Sequence, residues 1–283
     1  MPYRRPRTVL TIANFNMHCG IDGWGRPFDY VSVIGSLEAD VIVLEETWAA
    51  GRDGQNEQPG QAQEAARSLG YQVVAQTMGE GYRIGPRDDA NEHWMPRQAF
   101  ADHNKSLYFD CLRAIRPATL ELPRFKESER GRFGMAVLVR PDYPIEDRRI
   151  LSLPTLKRDR VRRCVIVVDL TVEGRPISVA GTHMAHLYQG SPKHYRLIGQ
   201  RLKAEARPDA VLSGDMNLWG PGVRLLLPGG WHRAVRGASW PTEHPHSQID
   251  HILVRGALQP VSGKVFGDSG SDHRPIRAEI SLG

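Results

Sequence analysis

Cysteine is scarce in this chain. Cys19, Cys111 and Cys164 are an odd set with no paired spacing, which excludes a disulfide framework or a cysteine zinc site and leaves a reducing compartment as the default. No apolar run is long enough to span a bilayer. The basic start, MPYRRPRTVLTIANFN, passes almost directly into a strand-like segment with no leader-type apolar stretch, so a cytoplasmic protein is expected. Low-complexity tracts and fixed-period repeats are missing, which excludes repeat architectures. The dense basic stripe of a dedicated nucleic-acid binder is missing too. Lys and Arg outnumber Asp and Glu by only 37 to 32, a net charge of +5. Local concentrations at Arg4 to Arg7 and Lys157 to Arg163 hint mildly at an anionic partner.

What is present is an ordinary globular composition, 40% apolar and 24% charged. At 283 residues the chain is near the upper size of a single core, and no linker-like composition shift divides it. One domain over 1–283 is expected, with its core at about 8–281. Runs rich in β-branched and apolar residues predict strands at 8–16, 39–46, 134–140, 163–170, 176–183, 210–215 and 248–254. Helices are predicted at FDYVSVIGSLEA, at GQAQEAARSLG with Gly70 as C-cap, and at SPKHYRLIGQRLKAEA with Pro192 in the first turn. Strands covered by helices imply an α/β or α+β domain. The stretch from about 78 to 132 is polar and rich in Gly, Pro, Asp and Arg, and is expected to be an irregular insertion with at most a short helix.

Polar residues gather where the strands end: Asn16, Glu45 and Glu46, His183, Asp215 with Asn217, Asp250 with His251, and Asp272 with His273 near the tail. Apolar strands demand burial, so polar groups at their ends emerge where sheet meets solvent, and ends sharing one edge bring those groups together. Clustered acids repel and raise one another's pKa, a conflict that a cation resolves. Oxygen donors without cysteine suit Mg²⁺ or Mn²⁺, and histidines beside them suit an anionic substrate. Acids, amides, histidines and a hard metal together point to phosphate chemistry. Taken singly each residue has a bland reading, as a cap, an Asx turn or a strand-edge histidine; their shared placement carries the argument.

In chain order, FN, LEET, GMAVL, GTHMAH, GDMN, IDHILV and SDHRP resemble the signature blocks of the endonuclease/exonuclease/phosphatase superfamily, which includes deoxyribonuclease I, apurinic/apyrimidinic endonucleases, neutral sphingomyelinases and inositol polyphosphate 5-phosphatases. The resemblance spans about residues 9 to 276. It implies a four-layer sandwich of two packed mixed β-sheets flanked by helices, with one metal-dependent site at the edge where strand ends meet. It further implies Glu46 as main metal ligand, Asn16 assisting the metal or a phosphate oxygen, and Asp272 as a further ligand. Asp215 and Asn217 resemble the pair that activates the attacking water. His273 resembles the histidine at the scissile phosphate, with Asp250 fixing its imidazole, and His183 the second histidine. Arg163 sits where several members place a phosphate-facing arginine. Two departures stand out. The family usually has QE where this chain has Glu45 and Glu46, which adds negative charge near the metal, and IDY becomes IDH, placing His251 where an aromatic ring often packs.

The expected activity is Mg²⁺- or Mn²⁺-dependent hydrolysis of a phosphate ester by a monomer, with nucleic acid the favoured substrate. Segment 91–105 sets aromatic residues among basic ones and 153–163 is rich in Lys and Arg, a loose fit to a nucleic-acid contact. The alternatives are a sphingomyelinase-like phospholipid phosphodiesterase, a phosphatase of small or inositol-type molecules, and a non-catalytic binding module on the same fold. Trp219, Trp231 and Trp240 are expected as core or loop anchors.

Overall fold

The protein is described by a computed structural model that covers residues 9–22, 26–51, 60–84, 127–159 and 161–283. Two mixed β-sheets of six strands each pack face to face, with helices on both outer faces. In chain order the first sheet takes β1 (Val9–Asn16), β2 (Val41–Ala50), β3 (Gln72–Ile84), β4 (Glu127–Val139), β11 (Gln259–Val265) and β12 (Ile276–Ser281). Its spatial order is β11-β12-β1-β2-β4-β3. The second sheet takes β5 (Ile145–Ser152), β6 (Cys164–Val172), β7 (Arg175–His183), β8 (Ala210–Asp215), β9 (His232–Arg233) and β10 (Asp250–Arg255), in the order β5-β6-β7-β8-β10-β9.

Each sheet has a parallel pair at its centre, β1 with β2 and β7 with β8. A parallel connection needs a crossover, and the chain supplies helix α1 (Tyr30–Ser36) for the first and α3 (Pro192–Glu205) for the second. The Asp29 side chain accepts from the Ser32 N–H at 3.0 Å and so caps α1. Helix α2 (Gln61–Leu69) ends as the sequence predicts, on Gly70 at φ 72°, and α4 (Gly220–Leu226) follows β8.

Period-2 alternation sorts the strand residues into three apolar layers. Leu10, Ile12, Val41 and Val43 of the first sheet meet Val179, Val211, Ile252 and Val254 of the second between the sheets. Ala13, Phe15, Ile42 and Leu44 face α1 and α2, while Val165, Leu212 and Leu253 face α3 and α4. Gly181 lets the sheets pack tightly at this point, because a Cβ there would lie 2.9 Å from Val43 Cγ1 and 3.0 Å from Val137 Cγ2.

The predicted insertion is bounded too widely. Residues 78–84 continue β3, and 127–132 already belong to β4; glycines at 79, 81, 131 and 134 hide a long hairpin that pairs through Gly81 and Gly131. The expected short helix lies outside the described residues, as do Cys111, Trp24 and the Arg4 to Arg7 cluster. Strands β3, β5, β9, β11 and β12 escape the sequence reading. β11 is exposed along nearly its whole length and β5 alternates only weakly, so neither has the apolar run that betrays a buried strand. Among the described residues no helix is long and apolar enough to cross a membrane.

Candidate active site

The inter-sheet apolar stripes turn polar at one end of the sandwich. On β1 the face bearing Leu10 and Ile12 continues into Asn14 and Asn16; on β2 the face bearing Val41 and Val43 continues into Glu45. On β7 the stripe runs from Ile177 and Val179 through Gly181 to His183, and on β8 from Val211 through Ser213 to Asp215. Both parallel pairs finish at the same edge, since Asn16 is level with Glu45 and His183 with Asp215. Strand β10 runs the other way and so starts there, with Asp250 opposite Asp215. His273 lies just before β12, whose Ile276 pairs with Asn14, so the tail enters the same edge.

Glu46 needs a separate device. Simple alternation would turn it to the helix side with Leu44, yet its Oε1 is 3.9 Å from His183 Nε2 in the other sheet. The register between β2 and β4 slips between Glu45 and Thr47, and Glu46 adopts φ 48°. This β-bulge swings the side chain to the inter-sheet edge. Asn217 likewise occupies the left-handed region, at φ 48°, which asparagine tolerates better than most residues.

Asp215 is the hub. It is fully buried, and its Oδ2 accepts from Asn16 Nδ2 at 3.2 Å and faces His183 Nε2 at 3.7 Å and His273 Nε2 at 3.9 Å. Its Oδ1 accepts the Asn217 N–H at 2.8 Å. Asn217 Nδ2 donates to the Met184 carbonyl at 2.8 Å, while its Oδ1 is buried without a partner in the protein. A buried acceptor left in that state is costly unless water or substrate completes it.

His273 is held through Nδ1, 3.0 Å from Asp250 Oδ2, and Asp250 in turn accepts from the Ser239 hydroxyl at 2.5 Å. Burial alone would lower the His273 pKa, but Asp250, Asp272 and Asp215 outweigh it and hold the imidazole well above its ordinary value. These carboxylates favour the protonated ring, and its Nε2 faces Asp215 in the cluster. Asp215, Asp250 and His273 also place ligand atoms within 4.8 Å of one another. That trio is not the predicted metal set, and the Nδ1 contact to Asp250 makes it a charge-paired histidine.

Glu46 and Asp272 converge on Cys19. Loss of water contact, then Glu46, and after an opposing effect of Arg83 also Asp272, push the Cys19 thiol well above its usual range. Cys19 keeps its proton, so thiolate ligation is disfavoured beside these carboxylates. The donors on offer are hard oxygens from Glu46, Asp272 and Asn16, which suit a hard divalent ion. Asp272 also lies 3.8 Å from His18 Nδ1, and Ser271 Oγ donates to the Asn16 carbonyl at 2.8 Å, tying the tail to β1.

Arg163 takes a different place from the expected one. It is buried, its Nε donates to Asp159 Oδ2 at 2.8 Å, and its Nη1 donates to the His183 carbonyl at 3.3 Å. Its charge is matched by an acid, and it reaches the site through the His183 backbone. Glu45 differs as well: burial, then Asp250 and Asp215, push its carboxyl well above the usual range, and Asn14 donates to its Oε1. These effects favour the protonated form of Glu45, against the added negative charge that the sequence leads one to expect. His251 packs toward the helices with Nε2 on the Leu218 carbonyl at 2.8 Å, bracing the loop that carries Asn217. Asn14, His18, Ser239 and Ser271 were missed; only Asn14, two residues before Asn16, was within reach of an alternation argument. Trp240 is buried as expected, but Trp219 is 62% exposed two residues beyond Asn217.

A family model described as Endonuclease/Exonuclease/phosphatase family matches residues 13–273. No curated protein matches the chain. Among solved structures, the endonuclease/exonuclease/phosphatase from Beutenbergia cavernae is similar at TM-score 0.66 and 17% identity, over 98% of this chain and 72% of that one. A family protein from Leptotrichia buccalis is similar at 0.62 and 13%, over 95% and 98%. The TDP2 of D. rerio, solved with a single-strand DNA product, is similar at 0.57 and 15%, over 96% and 98%. At such identities the likeness establishes the fold.

Proposed function

The chain belongs to the endonuclease/exonuclease/phosphatase family and is a divalent-metal-dependent phosphoesterase, and on that premise we propose that it hydrolyses phosphodiesters of nucleic acid with Mg²⁺ or Mn²⁺. The observation that carries the reading is the meeting of Asn16, Glu46, His183, Asp215, Asn217 and His273 at one edge, with Asp215 as their common hub. The TDP2 structure with a DNA product supports the choice of nucleic acid.

Glu46 and Asp272, with Asn16 beside them, are the residues to hold the metal, which when bound neutralises phosphate charge and polarises the P–O bond. Asp215 orients a water and takes its proton, its Oδ1 fixed by the Asn217 N–H. The vacant acceptor of Asn217 receives the second hydrogen of that water. The His273 cation donates through Nε2 to a non-bridging oxygen, and Asp250 keeps it charged and aimed. His183, in contact range of both Glu46 and Asp215, donates on the leaving-group side. Arg163 holds the His183 backbone. One chain suffices for all of these roles, in keeping with a single-domain monomer.

The direct test measures hydrolysis of bis(p-nitrophenyl) phosphate and of a labelled oligonucleotide with Mg²⁺, Mn²⁺ or chelator. Turnover of both with metal and of neither with chelator is expected. Metal-independent turnover, or none on any phosphate ester in a panel including sphingomyelin and phosphomonoesters, overturns the reading.

A further inference from the structure

A second concavity is built by the segment from α4 to β9. The chain leaves α4 at Leu227 and turns at Gly229 and Gly230, whose φ of 120° and 70° call for glycine. It then enters β9 through Trp231. The groove between has a volume of about 740 Å³, and Arg224, Arg233 and Arg236 line it together with Trp231. Among the described residues no carboxylate lines it.

The arginines here differ from those elsewhere on the molecule. Arg149 is paired with Asp169, Arg163 with Asp159 and Arg207 with Glu146. For Arg233 the described contact is a neutral one, Gln248 Oε1 at 3.4 Å. Arg224 and Arg236 are exposed at the groove. A further guanidinium, that of Arg255, lies 4.9 Å from the centre of the Trp231 ring and is held on the Leu202 and Arg207 carbonyls. Burial and then the nearby Arg236 lower the Arg233 pKa, as expected for cations crowded without a counter-charge. Such a cluster is relieved by an anion, and the guanidinium fork matches phosphate oxygens.

One end of the groove lies toward the catalytic edge, and the other, at Trp231, lies by Arg255 at the far end of β10. Gly220 at its rim follows Asn217 by three residues, and Gln248, which Arg233 contacts, precedes Asp250 by two. We propose that this groove binds a phosphate of the substrate strand away from the scissile one, making the enzyme selective for a nucleic-acid chain over a small phosphate ester. The proposal names a subsite for the phosphodiesterase reading and rests on it.

The test uses Arg224→Gln with Arg236→Gln, and Arg233→Gln separately, with thermal unfolding to confirm that each variant folds. Binding of a fluorescent single-stranded oligonucleotide is measured in chelator over a range of KCl. The double variant is expected to weaken binding at least tenfold near physiological salt, and to flatten the log Kd against log[KCl] slope by about 0.7, for the one phosphate no longer neutralised. With metal, kcat/KM is expected to fall at least tenfold more for the oligonucleotide than for bis(p-nitrophenyl) phosphate. Unchanged affinity and slope overturn the proposal and leave the phosphodiesterase reading standing. Wild-type protein that cleaves neither substrate overturns that reading, while the binding slopes still judge the groove. If the variants lose binding to phosphatidic-acid vesicles but keep the oligonucleotide, the groove takes a lipid headgroup and the proposal fails.

Discussion

Replacing Glu45 by Gln isolates one buried proton. Glu45 is fully buried, its Oε1 accepts from Asn14, and its carboxyl is pushed up by burial and then by Asp250 and Asp215. Glutamine keeps the shape and the acceptor and cannot ionise. A carboxyl whose folded pKa exceeds its unfolded value of 4.5 favours the fold fully below pH 4.5, and that contribution is lost as pH rises toward the folded value. The loss is at most about 1.4 kcal/mol per pH unit, or ~3–6 °C in Tm for a chain of this size. His273 is raised too, with its window above its ordinary 6.5, and His194 and His251 are lowered by burial, with windows below it; all three titrate in both proteins, so the difference between the two profiles reports Glu45. Thermal unfolding of both proteins in chelator from pH 4.5 to 8 is the assay. The Glu45→Gln protein is expected to equal wild type near pH 4.5, to gain on it steadily with rising pH, and to keep kcat within about threefold. Parallel Tm profiles, or a variant less stable at pH 8, would refute a neutral Glu45.

Other perturbations probe the remaining roles. Glu46→Ala and His273→Ala are each expected to lower kcat by about two to three orders of magnitude, with circular dichroism showing the fold retained; near wild-type turnover for either rejects its assignment. Asp250→Asn removes a major support of the His273 cation. The imidazole pKa falls, and the alkaline limb of the kcat profile moves to lower pH; an unmoved limb argues against a protonated His273. Gly181→Ala forces a methyl against Val43 and Val137, and chemical denaturation is expected to show a loss of about 1–3 kcal/mol. Trp219→Ala, at a 62% exposed side chain, is expected to leave Tm unchanged and raise KM for oligonucleotide, through weaker base stacking, more than for the small diester.

How much of this was legible beforehand follows from the reach of local rules. Alternation is a local property, so the strands through Asn16, His183, Asp215 and Asp250, and the polar turn of each at its end, are written in consecutive residues. The sequence blocks also determined the family and with it the four-layer order. The bulge that redirects Glu46 was not legible, because it depends on how β2 meets β4 across the sheet. Neither was the raised pKa of Glu45, since it is set by water excluded and charges gathered from Asp250 and Asp215, distant in the chain. Arg163 turned to Asp159 and His183, and the unmatched arginines met around Trp231, for the same reason. Sequence decides which groups each strand end offers; only packing decides their partners, their exposure to water and their charge.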